Sequence, residues 1–318
     1  MIGVLTGGAA MKIKHGKIRK IKKYIPFYVM LIPGIIYLII NNYMPMAGLL
    51  LAFKKVNYSI GLFESPWIGF SNFKYLFSSK DAFNVFRNTI LYNLGFIVFG
   101  NVLGIIVAIA LDSLKNKYFK KYSQVVILIP YLLSMVIVSY IVYAFLSPKT
   151  GFVNNAILPV LGVEKINWYS EAKYWPVILN LVYLWTHFGY SSIFYYSTLI
   201  GIDKTYYEAT VVDGAGIWAQ IRHITLPMLK PTVITLVLLA IGHICSSDFG
   251  LFYQVPMNSG VLFPTTNVID TYVYRALIER GNISMSSAAG VYQSVVGFVI
   301  VMLSNWVVRK VDKDQALF

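Results

Sequence analysis

Charge is what this sequence has least of. Only 13% of its 318 residues are charged, where a soluble domain carries about 25%. Acidic residues are the scarcer kind, 13 Asp+Glu against 27 Lys+Arg, for a net charge of +14. The single cysteine, Cys245, excludes an intramolecular disulfide and any multi-cysteine metal site. Lying in an apolar run, it reads as a small packed residue. The four histidines, His15, His187, His223 and His243, are scattered, and no His-Glu-x-x-His zinc motif occurs. The phosphate-cradling glycine loop is missing too. Gly16-Lys17 is followed by Ile18, and Met11 stands where that loop needs its first glycine. Neither a Gly-x-Ser-x-Gly elbow nor a pair of carboxylates within an apolar run is present. These absences argue against a nucleotide site of the usual kind, a zinc centre or a hydrolytic nucleophile in this chain.

Apolar residues are abundant: 57% hydrophobic, 16% aromatic, with a mean hydropathy of +0.64. A soluble domain cannot hide that much apolar surface, and a disordered chain is poor in aromatics. The basic residues cluster at the ends of apolar runs, which points to membrane topology rather than nucleic acid. A helix needs roughly 20 apolar residues to cross a bilayer. Six segments meet that length: 24–52 (interrupted by Asn41-Asn42 and Pro45), 88–111, 122–147, 174–202, a fifth starting near Pro231 and fading at Ser246-Ser247-Asp248, and 283–308. The expected fold is an all-α integral membrane protein with six transmembrane helices.

With a cytoplasmic N-terminus, the inside segments 1–24, 113–121, 202–230 and 309–318 hold 17 of the 27 Lys+Arg, at more than twice the density outside. Both termini are therefore expected in the cytoplasm. The corresponding units are a basic segment 1–23, a six-span body 24–308 with a cytoplasmic loop 203–228, and a tail 309–318. Residues 1–10 do not read as a signal peptide, and Met11 resembles a more natural start. The stretch Lys12–Lys23 serves either as a topology signal or as a short helix on anionic headgroups. Gly100 and Gly104 have the spacing for close helix approach. Trp67, Trp168, Trp175 and Trp306 fall where interfacial anchors belong. His243 and Asp248 are either part of a polar pathway or a hydrogen-bonded pair near the outer interface. Arg275 and Arg280 could suit an acidic solute or pair with Asp270 and Glu279.

The cytoplasmic loop reads Tyr206-Tyr207-Glu208-Ala209-Thr210-Val211-Val212-Asp213-Gly214-Ala215-Gly216, then Ile217 to Pro227. It predicts a short helix capped by Asp203, a bend at Gly214, and a second helix, capped by Asp213 and stopped near Pro227. Such a hairpin can dock in another protein's groove or rest on the membrane.

The spacing Glu208-Ala209-Thr210, Gly214, Ile224, Leu226-Pro227 resembles the Glu-Ala-Ala loop of permease subunits of binding-protein-dependent ABC importers. Thr210 departs from it, standing where Ala is usual. Asp213 and Ala215 fit the form common in carbohydrate permeases. The stretch 67–73, with Gly69, Asn72 and Phe73, resembles an element of the sugar-permease group. The stretches 248–256, 270–275, 286–290 and Ala316-Leu317-Phe318 resemble its polysaccharide and oligosaccharide subgroup.

The resemblance implies half of a translocation pathway for a saccharide in a bacterial cell membrane, in a chain that is not itself an enzyme. It implies a second, distinct permease subunit, two ATPase subunits that bind ATP and Mg, and an extracellular or periplasmic sugar-binding protein. No cofactor is implied in this chain. Tyr207, Glu208, Ala209, Thr210, Asp213, Gly214, Ala215, Arg222, Leu226 and Pro227 are the candidate ATPase-coupling residues. Sugar rings pair C–H faces with aromatics, so Asn180, Tyr183, Trp185, Tyr190, Tyr195 and Tyr196, with His243 and Asp248, are candidates for the substrate pathway. The alternatives are an importer permease for another solute and a secondary transporter, which would need internal inverted repeats and leaves the loop pattern unexplained. A membrane-embedded enzyme lacks its carboxylates or metal ligands.

Overall fold

The computed structural model describes residues 24–78 and 80–311. The expected basic segment 1–23 and the end of the tail, including Ala316-Leu317-Phe318, lie outside them. Among the described residues the chain is helical, with one isolated bridge between Lys54 and Trp67. Four helices among the described residues are long and apolar enough to cross a membrane: α1 (Tyr24–Phe53), the bulk of α3 (Lys80–Ser113), α8 (Ile217–Gly242) and α12 (Ile283–Val311). A fifth crossing is made if α4 (Lys117–Leu132) and α5 (Met135–Leu146) count as one. Between α1 and α3 lies the short α2 (Ser71–Ser78).

The third apolar run departs most from expectation. It is bent by 93° between α4 and α5. Pro130 cannot donate to the helical ladder, and the chain leaves the helix at Leu133, which is extended. Ser134 then restarts it, its hydroxyl accepting from the Ile137 N–H at 3.4 Å. The run lacks charge, so hydropathy alone hides the break.

The fourth run forms α6 (Trp175–Ile200), long enough to span but too polar to meet the apolar standard of the others. Its position explains this. Trp175, Leu179, Val182, Thr186, Gly189, Ser192, Tyr195 and Leu199 recur every three or four residues and are all buried. They seat one face of α6 among α3, α4 and α8. Without a hydrophobic drive between helices in lipid, small residues and side-chain hydrogen bonds hold them together. Gly189 is the tightest such point: a Cβ there would lie 1.9 Å from the Ile127 carbonyl oxygen on α4. Gly104 makes a looser approach, a Cβ there lying 3.2 Å from side-chain atoms of Ser191 and Tyr195, whereas Gly100 faces open space.

Trp175 belongs to this packing and not to an interface. It is fully buried, its Nε1 donating to the Trp168 carbonyl at 2.8 Å. Trp67 and Trp306 are exposed. At the other extreme α1 is exposed from Tyr24 to Ala47 and joins the body only near Leu51 and Ala52. Asn41-Asn42 and Pro45 do not break it. The helix widens to a π-turn at Ile39–Tyr43 and tightens to 3₁₀ geometry from Met44.

The irregular segment 243–282 contains the short helices α9 (Phe249–Gln254), α10 (Phe263–Thr266) and α11 (Ile269–Tyr274). Buried backbone that leaves a helix needs partners for its polar groups, and one face of α3 supplies them. Asn88 Nδ2 donates to the carbonyls of Pro264 and Asn267. Tyr92 Oη donates to Thr265, Asn93 Nδ2 to Ile244 and Ser246, and Thr89 Oγ1 accepts from the Ile269 N–H. Asn93→Ala orphans two of these carbonyls, and a stability loss of about 1–2 kcal/mol is expected in thermal denaturation of the purified protein. An unchanged midpoint would mean that water or neighbouring side chains fully replace the amide.

Candidate functional site

The loop 203–228 folds as a hairpin whose geometry follows from a few side chains. Asp203 begins it, its Oδ1 accepting from the Thr205 N–H at 2.9 Å. The bonds from Thr205 hold its carboxyl below the ordinary carboxylate value. Helix α7 (Thr205–Val212) then ends at Gly214, whose φ is +75°. The Gly214 N–H donates to Val211 and the Ala215 N–H to Thr210. This pair of bonds is a Schellman stop, which needs a left-handed residue at Gly214. Asp213 therefore closes α7 instead of capping the next helix, which starts after Gly216 without a side-chain cap.

The second helix does not stop near Pro227. It continues as α8 through Pro227 and Pro231 to Gly242. A π-turn over Ile221–Thr225 makes this possible. The Leu226 N–H bonds Ile221, one residue beyond the helical partner, and the missing Pro227 N–H falls in the widened turn. The hairpin is thus rigidly continuous with a membrane-length helix.

Side-chain bonds close the hairpin. Tyr207 Oη lies 3.1 Å from Thr225 Oγ1, and Gln220 Nε2 donates to Thr210 Oγ1 at 3.2 Å. Thr210 uses the hydroxyl that the usual alanine lacks. Glu208 and Arg222 are exposed, and among the described residues their side chains make no hydrogen bond or ion pair. Ala209, Leu226 and Pro227 are exposed as well, and Ala215 is half-buried. The tip presents apolar side chains, Val211, Val212 (88% exposed), Ile217 and Trp218 (80% exposed). An exposed apolar cluster on a rigid hairpin is the form of a docking surface.

The intramembrane candidates divide. Tyr183 is stacked between Phe96 at 3.7 Å and His187 at 4.1 Å, and Tyr190 lies on Tyr131 at 4.6 Å. Tyr183, His187 and Tyr190 line a cavity of about 130 Å³ with Phe96, Gly100 and Asn101. Tyr195 is buried beside it, its hydroxyl donating to Asn101. Asn180 is placed against Gly95, with its Oδ1 buried and unpartnered. Trp185 opens onto a different groove, between α5 and α6, and Tyr196 lies under the Lys120 ammonium. His243 and Asp248 form no bond with each other. Asp248 caps α9, accepting from the Leu251 N–H at 3.1 Å. Phe96 and Asn101 escaped the sequence reading. A polar Asn inside an uncharged run was the available signal.

The sugar-permease stretch 67–73 also has a structural task. Asn72 Nδ2 donates to the carbonyls of Ala52 and Lys54, tying α2 to the end of α1, and Gly69 takes φ +59° before it.

Protein LplB of Bacillus subtilis (strain 168) is 33% identical to this chain over 287 residues, covering 90% of this chain and 89% of that protein. The polygalacturonan/rhamnogalacturonan transport system permease protein YteP of the same organism is 33% identical over 299 residues, covering 92% and 90%. A chain of the bacterial alginate ABC transporter, solved in complex with an alginate pentasaccharide-bound periplasmic protein, superposes with a TM-score of 0.83 at 32% identity, covering 93% of this chain and 98% of that one. The family described as binding-protein-dependent transport system inner membrane component matches residues 100–313. The chain, a multi-pass membrane protein, belongs to that family.

Proposed function

We propose that this chain is the permease subunit of an ATP-driven importer for an oligosaccharide delivered by an extracytoplasmic binding protein. The observation that carries the proposal is the apolar-tipped hairpin built on Gly214 and continuous with α8. One relative is named for polygalacturonan/rhamnogalacturonan transport and the structural neighbour for alginate, and α6 lines a cavity with stacked aromatics.

In this reading the hairpin sits in a groove of an ATPase subunit, with Val212 and Trp218 as apolar anchors and Glu208 and Arg222 as polar contacts. Tyr207, Thr210 and Gln220 keep its two helices together. Two ATPase subunits hold ATP and Mg, and their closure moves α8 as a rigid body, biasing the spans between inward- and outward-facing packings. A second permease subunit completes the pathway. Six crossings result, with α6 and the bent α4–α5 pair each counted as one and both termini in the cytoplasm. Residues 1–23 and 309–318 form the basic cytoplasmic ends, and α1 faces lipid or the second permease. Tyr183, His187 and Tyr190 meet the sugar, and Tyr195 holds the cavity-lining Asn101.

The test is ATP hydrolysis by the reconstituted four-subunit complex with its binding protein. Stimulation of several-fold by a saccharide-loaded binding protein, and not by the empty one, is expected. A chain that is stable alone, binds no ATPase and still moves solute would favour a secondary transporter.

A further inference from the structure

Arg275 and Arg280 turn out not to pair with the carboxylates that sequence offered them. Asp270 is taken by the Ser247 N–H and hydroxyl, at 2.6 and 2.7 Å. Glu279 accepts from Asn258 Nδ2. Arg275 is 5% exposed, yet every hydrogen-bond acceptor it touches is neutral: Asn258 Oδ1 at 2.7 Å, Asn267 Oδ1, and Thr271 Oγ1 at 3.0 Å. Its guanidinium lies 4.1 Å from the Phe263 ring centroid. Among the described residues neither arginine forms an ion pair. Burying a cation with no carboxylate in direct contact is costly, and here the cost falls where a cavity opens.

That cavity, about 290 Å³, is lined by Arg275, Arg280, Asn84, Asn267, Tyr272 and Asp81, among others. Arg87 stands at its edge, reaching the Pro264 carbonyl and Asn88. Two guanidinium groups thus share the cavity lining with Asp81, with Glu279 one residue removed behind Asn258. The turn that positions Asn258 is strained. Met257 and Asn258 both adopt positive φ, 55° and 46°, and strain of this kind gathers at binding sites. The volume is near the lower end for ligand pockets, enough for one or two sugar rings. Fixed guanidinium donors suit a carboxylate, amides suit hydroxyl edges, and the aromatic rings suit C–H faces.

We infer that this outer cavity, built on Arg275 and Arg280, reads the carboxylate of an acidic sugar unit as the saccharide enters the pathway. The inference rests on the permease reading and adds a substrate class to it.

The test uses the full complex in nanodiscs and ligand-observed NMR titration, which detects weak binding. The probes are tetramers of galacturonate and of mannuronate, each with its methyl ester, which removes the charge and keeps the ring. At least one acid is expected to bind tenfold or more tightly than its ester. Arg280→Gln, which removes a side chain without hydrogen bonds inside the described protein, should reduce that ratio to about threefold or less, and Arg275→Gln should do the same. Acid and ester binding alike in the unmodified complex, or the tenfold ratio surviving both substitutions, would overturn the assignment. Failure of all probes to bind, while a loaded binding protein still stimulates ATP hydrolysis, would overturn the cavity assignment and leave the permease reading standing. Absence of that stimulation with every loaded form would remove the permease reading and this inference together.

Discussion

Transport by a complex carrying Gly214→Pro is expected to fall about a hundredfold, with the protein still inserted and assembled. Proline fixes φ near −65° and lacks an N–H. Gly214 needs φ +75° and donates to Val211. The mismatch is worth about 3 kcal/mol or more, enough to depopulate the native hairpin by roughly two decades. Gly214→Ala makes the comparison quantitative. A Cβ there meets nothing within 4 Å, so only the left-handed strain remains, about 1–2 kcal/mol, and an intermediate loss is expected. Solute uptake by proteoliposomes, normalised to complex recovered, measures both. Normal uptake by the proline variant would mean that the bend at Gly214 plays no part in coupling.

The second large effect is on assembly. Gly189→Ala places a methyl group 1.9 Å from the Ile127 carbonyl oxygen. Backbone cannot rotate away as a side chain can, so α4 and α6 must separate. Overpacking of a tight interior costs typically about 1–3 kcal/mol, and a clash with backbone belongs at the upper end. The variant is expected to lose several degrees of thermal stability and most of its yield as a monodisperse complex. Gly100→Ala is the control, since a Cβ at that glycine meets nothing within 4 Å, and it should behave as the unmodified protein. Equal behaviour of the two variants in fluorescence-detected gel filtration after heating would contradict the packing assigned to α6.

The sequence announced its membrane helices because long uncharged runs leave few other fates, and the hairpin because Asp203 and Gly214 stand at its turning points. It hid what depends on neighbours. Nothing local to Trp175 distinguishes an interfacial anchor from the fully buried residue it is, because α3 and the segment 243–282 cover it. Pro227 reads as a stop until the π-turn at Ile221–Thr225 is seen to absorb it. The break at Leu133-Ser134 lies in an apolar run where only Pro130 hinted at it. The aromatic stack needs Phe96 from one helix and Tyr183 and His187 from another, a register that no single segment encodes. Arg275 was visible as a charge in the sequence, but its neutral cage comes from Asn258, Asn267 and Thr271, brought together only when the segment 243–282 folds.

Disulfide cross-linking reads out whether the hairpin tip sits on an ATPase subunit. Val212 is 88% exposed at the tip, and Cys245, the chain's single cysteine, is removable by Cys245→Ala. A Val212→Cys substitution in that background, paired with single cysteines along the candidate groove of the ATPase, should give a cross-linked permease–ATPase species under mild oxidation, with a yield that changes on adding ATP. Failure of every groove position to cross-link, in a complex that still transports, would contradict the account.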